Sequence, residues 1–399
     1  MSSQAQRVRV VIAGILSLLA MVGVARFAYT PLLPVMQTEA NLSIIAGGWL
    51  AASNYLGYFA GALVAASISS LPVKDTLYRT GLLLAIVTTA AMGLTESVWL
   101  WTLLRFVAGL ASACGLLIGS GLVMHWLLSY DFRPELGIHF AGLGGGILLV
   151  SVVAEFLLSG LSWERQWHAF SLLALLLSIP AWLWLPKPNL SGVSQSGKSL
   201  QDMPPSKLFF YLIMLAYFCA GVGYAIITTF IVAHINQLTP DSQSGILAFL
   251  LLGLAAAPAC FIWDRIVRRI GFLKALSWAF ALQLAGATLP MLSSAPMWTY
   301  AGALLFGGTF VGIVSMVLTM AGRFYPNKPA KMMGKMTLSY GAAQILAPAL
   351  AGVLGDISGS YMSSFYLSAF VLAIGLVLIL VITYWVPVFA DDAEGAEPL

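Results

Sequence analysis

The stretch that decides the fold is VVIAGILSLLAMVGVARFAYTPLLP, residues 10–34. Its first fifteen residues carry no charge, and Arg26 then follows inside the same apolar run, ahead of Pro31 and Pro34. An apolar run of about 20 residues crosses the hydrocarbon core of a membrane when it is helical. The stretch therefore predicts a transmembrane helix, and it raises the question of why that helix contains a guanidinium group.

The composition indicates that lipid surrounds most of the folded chain. Of the 399 residues, 60% are hydrophobic and 9% are charged, whereas soluble domains carry about 25% charged residues. The apolar segments are continuous, without the alternation typical of a membrane β-barrel. Cys114, Cys219 and Cys260 all lie in such segments, so we expect no disulfide framework. The first run is too long for the apolar part of a signal peptide, and we expect it to be retained. The sequence thus predicts an all-α polytopic membrane protein.

Apolar runs long enough to span a bilayer recur twelve times along the chain. Six of them fall in each half, which predicts twelve transmembrane helices. The predicted spans are 9–36, 43–70, 77–95, 98–127, 136–160, 167–186, 207–236, 243–263, 272–293, 297–323, 333–355 and 361–388.

The distribution of lysine and arginine predicts the orientation. With both termini in the cytoplasm, the outer loops contain Arg165 alone, and Arg26 and Arg105 lie within spans. Such a bias is the positive-inside pattern, and it accounts for the formal charge of +4 without a nucleic-acid partner. The cations of the inner loops and tails are Arg7, Arg9, Lys74, Arg79, Arg133, Lys187, Lys198, Lys207, Arg265, Arg268, Arg269, Lys274, Arg323, Lys328, Lys331 and Lys335.

The two halves of the chain resemble each other at an offset of about 198 residues. GVARFAYT, which begins at Gly23, shares Gly, Val and the last Thr with GVGYAIIT, which begins at Gly221. Parallel six-helix halves around a midplane site are one known transporter architecture. We therefore predict an N-terminal bundle, a flexible Ser/Gly/Pro-rich linker, a C-terminal bundle and a solvated acidic tail. Their boundaries are 1–186, 187–206, 207–390 and 391–399.

Several motifs resemble the major facilitator superfamily, and more narrowly its bacterial YbfB/YjiJ branch. The narrow resemblance rests on RFAYTPLLP (26–34), WLAASNYLGYFAGAL (49–63), GVGYAIITTF (221–230) and GKMTLSYGAAQILAPALAG (334–352). It covers nearly the whole chain. It implies two pseudo-symmetric six-helix bundles, secondary active transport by alternating access and a bacterial inner-membrane location.

Two general signatures of the superfamily are also matched. LLRFVAGLASA (103–113) resembles the signature of the fourth helix, whose arginine is associated with proton coupling. WDRIVRRIG (263–271) resembles the second-half loop signature, which implies that Asp264, Arg265 and Arg268 form a gating charge relay to the eleventh helix. A loop rich in arginine would also satisfy orientation alone. Gly271 permits the tight turn into the ninth helix.

Two departures from the family pattern leave the direction of transport open. The first-half loop signature has Ala65 where an aspartate is usual. In the fifth helix, Gly137 and Gly146 have the separation typical of exporters, but Ile147 stands where a proline is expected.

The depth of Arg26 predicts a role inside the protein. It lies about ten residues, or roughly 15 Å of helix, from the outer end of its span at Met36. A centred arginine costs roughly 2.5–3.5 kcal/mol when it faces lipid. We expect Arg26 to face a water-filled cavity or an ion pair, and the alternative is a side chain that snorkels to the interface. Pro31 and Pro34 are the expected kink points of this helix.

Arg105 and Glu155 lie at a similar depth on the fourth and fifth helices. We therefore predict that Glu155 pairs with Arg105, Arg26 or both. An isolated carboxylate in a low-dielectric site takes up a proton, whereas a nearby arginine keeps it ionised. Glu155 and Arg105 are thus the candidates for proton coupling, and the alternative is a static structural pair.

The second half lacks these charges. Tyr224 stands at the position of Arg26, and small residues near Gly302 and Ala303 replace Arg105. We expect aromatic and hydroxyl groups there to shape the cavity, although such groups also bond neighbouring helices. The candidate substrate-binding residues are Arg26, Tyr29, Asn54, Tyr58, Tyr224, Thr228, Tyr340 and Gln344.

Other function classes have little support. The chain has no nucleophile–base spacing and no metal-ligand spacing among its four histidines. Its one GxxxxGK[ST] match, GVSQSGKS at residues 192–199, lies in the flexible linker rather than between a strand and a helix, so it does not support a nucleotide site. We therefore expect no enzyme activity, no cofactor, no metal and no nucleic-acid partner. Two arginines against one carboxylate favour a small anionic or zwitterionic organic solute carried by a proton-coupled monomer in the lipid bilayer. The alternative is a proton-antiport exporter of cationic drugs or amphiphiles.

Overall fold

The computed structural model describes residues 3–68, 70–130, 136–158, 160–188, 204–239, 242–324 and 329–389. Within these ranges the chain is helical and contains no strand. The first helix, α1, has three parts, which are an α-helix over Ser3–Leu18, a π-helix over Leu19–Phe27 and an α-helix over Tyr29–Glu39. The fourth, α4, is likewise interrupted, with Val98–Ala113 and Ser120–Ser129 joined by a π-helix over Cys114–Gly119.

The other ten helices complete the predicted set of twelve. In the first half they are α2 (Ile44–Ser67), α3 (Leu71–Met92), α5 (Leu136–Leu158) and α6 (Trp163–Trp184). In the second half they are α7 (Lys207–Leu238), α8 (Ser242–Ile270), α9 (Phe272–Thr288, followed by a 3₁₀ turn over Leu289–Met291), α10 (Pro296–Phe324), α11 (Pro329–Ser358) and α12 (Met362–Trp385). By length and composition, nine of the described helices are able to cross a membrane.

Some helices extend beyond the predicted spans because hydropathy reports only the part of a helix that faces lipid. Helix α3 begins at Leu71, six residues before the predicted start at 77, and includes a charged first turn. There Arg79 pairs with Asp75 at 3.0 Å and donates to the carbonyls of Trp182 and Leu185 at the end of α6. These partners satisfy the charges, so the helix continues through them.

Short connections between successive helices give the bundle two faces. The terminal face holds the start of α7 and the end of α12, because the backbone N–H of Ser206, just before α7, donates to the carbonyl of Val388, just after α12. The opposite face holds the end of α1 and the start of α6, where the N–H of Trp163 donates to the carboxylate of Glu39. Most of the predicted linker, residues 189–203, and the acidic tail, 391–399, lie outside the described residues.

The twelve helices form two six-helix halves that meet through close helix contacts. A Cβ atom on Gly48 in α2 would lie 2.5 Å from the carbonyl oxygen of Pro348 in α11. On the other side of the molecule, a Cβ on Gly144 in α5 would lie 2.3 Å from the amide nitrogen of Ala257 in α8. Only glycine allows such an approach, and the two contacts enclose the space between the halves.

The 198-residue offset of the repeats also appears in the packing. Gly23 in α1 contacts Gly146 in α5, and its counterpart Gly221 in α7 contacts Ala343 in α11. The hydroxyl of Thr30 in α1 donates to the carbonyl of Thr228 in α7 at 2.8 Å, and these two residues are 198 positions apart. Equivalent residues of the two repeats therefore meet at the junction between the halves.

Candidate functional site

An open cavity lies between the two halves, and the empty space in it and at its mouth, open solvent included, is about 820 Å³. Its central wall is buried and includes Arg26, Tyr58 and Tyr224. Toward the terminal face its wall is only half-buried, at residues such as Phe140 and Leu318. The cavity thus leads from the middle of the molecule toward the terminal face.

Arg26 lies at the inner end of this cavity and is 6% exposed. Its guanidinium carbon is 4.4 Å from the ring centre of Tyr55, 5.0 Å from that of Tyr58 and 5.6 Å from that of Tyr224. Aromatic faces attract a cation at these distances. Its Nε and Nη2 atoms have no described hydrogen-bond partner. Arg26 is therefore a buried cation with unused hydrogen-bond donors beside a cavity, and it does not snorkel.

Arg105 is also buried, but its donors face the backbone of α1. Its Nη1 donates to the carbonyl of Ala25 at 2.9 Å, and its Nη2 donates to that of Arg26 at 3.3 Å. The N–H five residues after Arg26, which a π-helix would use, belongs to Pro31 and does not exist. Arg105 therefore supplies the Arg26 carbonyl with a donor in place of the missing N–H, and its two bonds fix the backbone that carries Arg26.

Tyr29 and Asn54, predicted to line the cavity, instead support Arg105. The ring centre of Tyr29 lies 4.6 Å from the Arg105 guanidinium, and its hydroxyl donates to the carbonyl of Gly47. The amide of Asn54 donates to the carbonyl of Arg105 at 2.9 Å. Neither residue is part of the described cavity wall. Both side chains point into the contacts between helices, because α2 and α4 pack closely there.

Thr228 is likewise outside the described cavity wall, and its substrate-binding role stays a prediction. Its hydroxyl donates to the carbonyl of Tyr224 one turn earlier, and its own carbonyl accepts the hydrogen bond from Thr30. Nearer the opposite face, the amide of Gln37 donates to the hydroxyl of Tyr361 at 2.6 Å. These bonds join the halves between the cavity and the opposite face.

The predicted pairing of Glu155 with an arginine is not made in this structure. In the described part of the chain neither Arg26 nor Arg105 forms an ion pair. Both terminal nitrogens of Arg105 already donate to carbonyls of α1. Glu155 is half-buried on α5. The reason for the difference is that the backbone of α1, rather than a side chain, provides the acceptors.

The predicted gating residues lie at the end of α8 near the terminal face. Asp264 forms an ion pair with Arg268, one turn along the same helix, and both side chains are largely exposed. The described ion pairs therefore do not link Asp264 to α11, and its gating role, like that of Arg265, stays a prediction. Gly271 has φ +79°, and a positive φ is what the predicted turn into α9 requires.

A connected set of aromatic rings forms the second-half wall of the cavity. The ring centre of Tyr224 lies 5.1 Å from Phe310 and 5.7 Å from Tyr340, and Tyr340 lies 4.5 Å from Tyr217. Of the eight predicted binding residues, the cavity wall contains Arg26, Tyr58, Tyr224, Tyr340 and Gln344.

The sequence analysis missed several residues of this site. Tyr55 and Tyr217 could have been found by helical spacing, because they precede Tyr58 by three residues and Tyr224 by seven. Phe310 carries no polar group and lies among many apolar residues of α10, so the sequence offers no signal for it.

Three comparisons relate the chain to known proteins. The sequence profile of the family described as "Uncharacterised MFS-type transporter YbfB" matches residues 17–380. A relative described as "Uncharacterized MFS-type transporter YceJ", from Bacillus subtilis (strain 168), is 25% identical over 356 residues, 87% of this chain and 84% of the relative.

The fold is similar to two crystal structures of the nucleoside transporter NupG. The structure of a point mutant of NupG has a TM-score of 0.73 at 12% identity, covering 94% of this chain and 99% of that one. The other NupG structure also has a TM-score of 0.73 at 12% identity, with 96% and 100% covered. At this identity the similarity concerns the fold alone.

Proposed function

The chain belongs to the YbfB-type family of the major facilitator superfamily, and we propose that it moves a small organic anion by proton-coupled alternating access. It is a multi-pass membrane transporter rather than an enzyme, because its family is one of transporters. The solute class, the coupling ion and the mechanism are our proposal. The observation that carries it is the guanidinium of Arg26 beside the central cavity, which forms no described ion pair and has two nitrogens without a described hydrogen-bond partner.

Arg26 is the one charged side chain in the described wall of the cavity. A guanidinium presents its donors in a fixed plane that matches a carboxylate. A carboxylate at Arg26 would use the nitrogens that lack described partners, and the surrounding rings would exclude water from the pair. A zwitterionic solute would use the same contact through its carboxylate.

A lipophilic cation is the second candidate solute, because much of the described cavity wall is apolar. However, the aromatic faces of Tyr55 and Tyr58 that would attract such a cation already surround Arg26. A cationic solute would therefore meet a like charge at close range in a low-dielectric site.

Proton coupling is assigned to Glu155 in this proposal, and Arg105 takes a structural part. Glu155 is half-buried on α5, whose preceding turns contact α1 and α8. Movement between the halves would change its surroundings and hence its protonation. Purified protein in liposomes with an internal pH dye would report proton movement that depends on solute. We expect Glu155→Gln to abolish this movement, and unchanged movement would remove Glu155 from the mechanism.

We propose that the terminal face is cytoplasmic and that the membrane is the bacterial inner membrane. The excess of lysine and arginine in the loops of this face supports the orientation. In this orientation the cavity of the present conformation leads toward the cytoplasm. The hydrogen bonds of Thr30 and Gln37 then lie between the cavity and the outside.

A matched pair of ligands tests the charge preference. Cyclohexanecarboxylate and cyclohexylmethylammonium share a ring and differ in charge, and binding to the purified protein is measured by calorimetry in detergent. We expect the carboxylate to bind the wild type and to lose at least about tenfold in affinity with Arg26→Gln, since a charged hydrogen bond contributes roughly 1.5–3 kcal/mol. Arg165→Gln, which removes an exposed arginine outside the cavity, is the control. Binding of the ammonium compound alone would establish the cationic alternative.

A further inference from the structure

The wall of the cavity next to Arg26 is built from rings that share an orientation. Tyr224, whose ring centre is 5.6 Å from the Arg26 guanidinium, lies at 27° to the ring plane of Phe310 and at 32° to that of Tyr340. Tyr224 and Phe310 stack on each other with ring centres 5.1 Å apart, so the wall is already an aromatic stack that a ligand ring could extend. Aliphatic side chains would give equal apolar area without this directional preference.

This wall comes from three helices that are distant in sequence. Tyr224 is on α7, Phe310 on α10 and Tyr340 on α11, and all three border the cavity. Each of the three side chains is buried, so each has neighbours that hold its ring in place. A ligand ring would therefore meet a preformed surface and would not have to order it.

A hydrogen-bond acceptor on α11 borders the same cavity as these rings and Arg26. Gln344 is one turn after Tyr340 on α11, borders the cavity and is 3% exposed. Its amide oxygen has no described hydrogen-bond partner. An unpaired buried acceptor beside a cavity is satisfied when a ligand brings a donor to it.

We propose that the solute is a planar aromatic carboxylate that also carries a hydrogen-bond donor on its ring. This rests on the proposed transport of an organic anion and specifies the rest of the molecule. The carboxylate binds Arg26, the ring stacks against the wall of Tyr224, Phe310 and Tyr340, and the donor binds the amide oxygen of Gln344.

The test compares ligands of equal charge and similar size. Benzoate and cyclohexanecarboxylate differ in the aromatic face, and 4-hydroxybenzoate adds a donor to benzoate. Calorimetry on the full chain in detergent should show benzoate binding about three- to tenfold more tightly than cyclohexanecarboxylate, which is the usual range for an aromatic contact beyond its area. We expect 4-hydroxybenzoate to bind more tightly again, by about threefold or more.

Variants connect each preference with a residue. Tyr224→Leu should reduce the preference for benzoate over cyclohexanecarboxylate toward one, whereas Tyr224→Phe, which retains the ring, should keep it. Gln344→Leu should remove the advantage of 4-hydroxybenzoate and leave benzoate binding in place. Tyr384→Leu, at an exposed tyrosine of α12, is the control and should change neither ratio.

The outcomes separate this inference from the proposed function. If cyclohexanecarboxylate binds as tightly as benzoate, or if Tyr224→Leu keeps the preference, the aromatic inference is wrong and organic anion transport stands. If 4-hydroxybenzoate binds no more tightly than benzoate, or if Gln344→Leu keeps its advantage, the proposed hydrogen bond from the solute to Gln344 is wrong. If no carboxylate binds the wild type, the anion proposal fails as well.

Discussion

The two repeats differ most at their first helices, α1 and α7. Helix α7 is one continuous α-helix over Lys207–Leu238, whereas α1 is divided by a π-helical segment and contains Pro31 and Pro34. The residues of α7 at the offset of 198 from these prolines are Thr229 and Val232, which both have a backbone N–H. One copy of the repeat therefore makes its own backbone hydrogen bonds, and the other lacks two donors.

The fourth helix of each repeat reflects this difference. Arg105 donates to two carbonyls of α1, whereas the equivalent residue in the second half is Ala303, which is buried and has no side-chain donor. The repeat that contains the two prolines thus also contains Arg105, whereas the repeat without them has no equivalent arginine. In this structure Arg105 completes the hydrogen bonds of a broken helix. If its two terminal nitrogens were paired with a carboxylate, they would not be available to those carbonyls.

Replacing Arg105 with alanine should have the largest effect on stability, and it tests whether this residue completes the hydrogen bonds of α1. We expect Arg105→Ala to lower the free energy of unfolding by about 3 kcal/mol or more, because it removes two buried hydrogen bonds from a charged donor to carbonyls of α1. Unfolding of the purified protein in detergent measures the loss. Arg165→Ala, at an exposed position, should change it by less than about 0.5 kcal/mol. If Arg105→Ala also changed the free energy of unfolding by less than about 0.5 kcal/mol, the hydrogen bonds of Arg105 would contribute little to stability.

A proline placed in α7 tests the same idea from the other repeat. Thr229→Pro removes one backbone donor where no arginine is available, and it should cost about 3 kcal/mol, as for a proline inside a helix. Thr229→Ala is the matched control, since it removes the hydroxyl but keeps the N–H. Equal melting temperatures for the two variants would mean that α7 tolerates the break without a substitute donor.

A double-mutant cycle sharpens the link between Pro31 and Arg105. Pro31→Ala restores an N–H four residues after Phe27 and five after Arg26. In the Arg105→Ala background we expect it to recover about 1–2 kcal/mol of the lost stability, a coupling typical of residues in one hydrogen-bond network. In the wild-type background it should be close to neutral. Purely additive effects would indicate that the two residues act independently.

The smallest effect on stability is expected at the second-half loop. Asp264 and Arg268 form an exposed pair on one helix, and exposed pairs contribute less than about 1 kcal/mol. Asp264→Asn should therefore barely change the melting temperature. If the predicted gating role is correct, the same variant will still slow solute exchange in liposomes. Unchanged exchange would leave the pair without a function in the transport cycle.

Much of this architecture could be predicted from apolar periodicity and repeat spacing. The twelve spans correspond to twelve helices, and the offset between Gly23 and Gly221 recurs in the contact between Thr30 and Thr228. The depth of Arg26 correctly placed it inside the protein. These features are local, since they depend on residues within one helix or on a fixed spacing between two copies.

The partners of the buried arginines could not be predicted in the same way. The sequence analysis paired Glu155 with Arg105, Arg26 or both, because opposite charges at one depth attract each other. The structure places Arg105 against backbone carbonyls 79 and 80 residues away, which every residue possesses and no sequence pattern marks. Tyr29 and Asn54 were misplaced for a related reason, because their orientation depends on how α1, α2 and α4 pack.

The sequence by itself determined that the chain is a bundle of membrane helices with a cation buried in the first one. Lipid offers no hydrogen-bond partners, so an apolar segment must satisfy its own backbone and becomes a helix whatever its neighbours are. Only the tertiary structure decided that Arg26 faces aromatic rings and a cavity while Arg105 serves the backbone of α1. Those contacts join side chains from different helices, and their energies depend on distances that arise only after the two halves have packed.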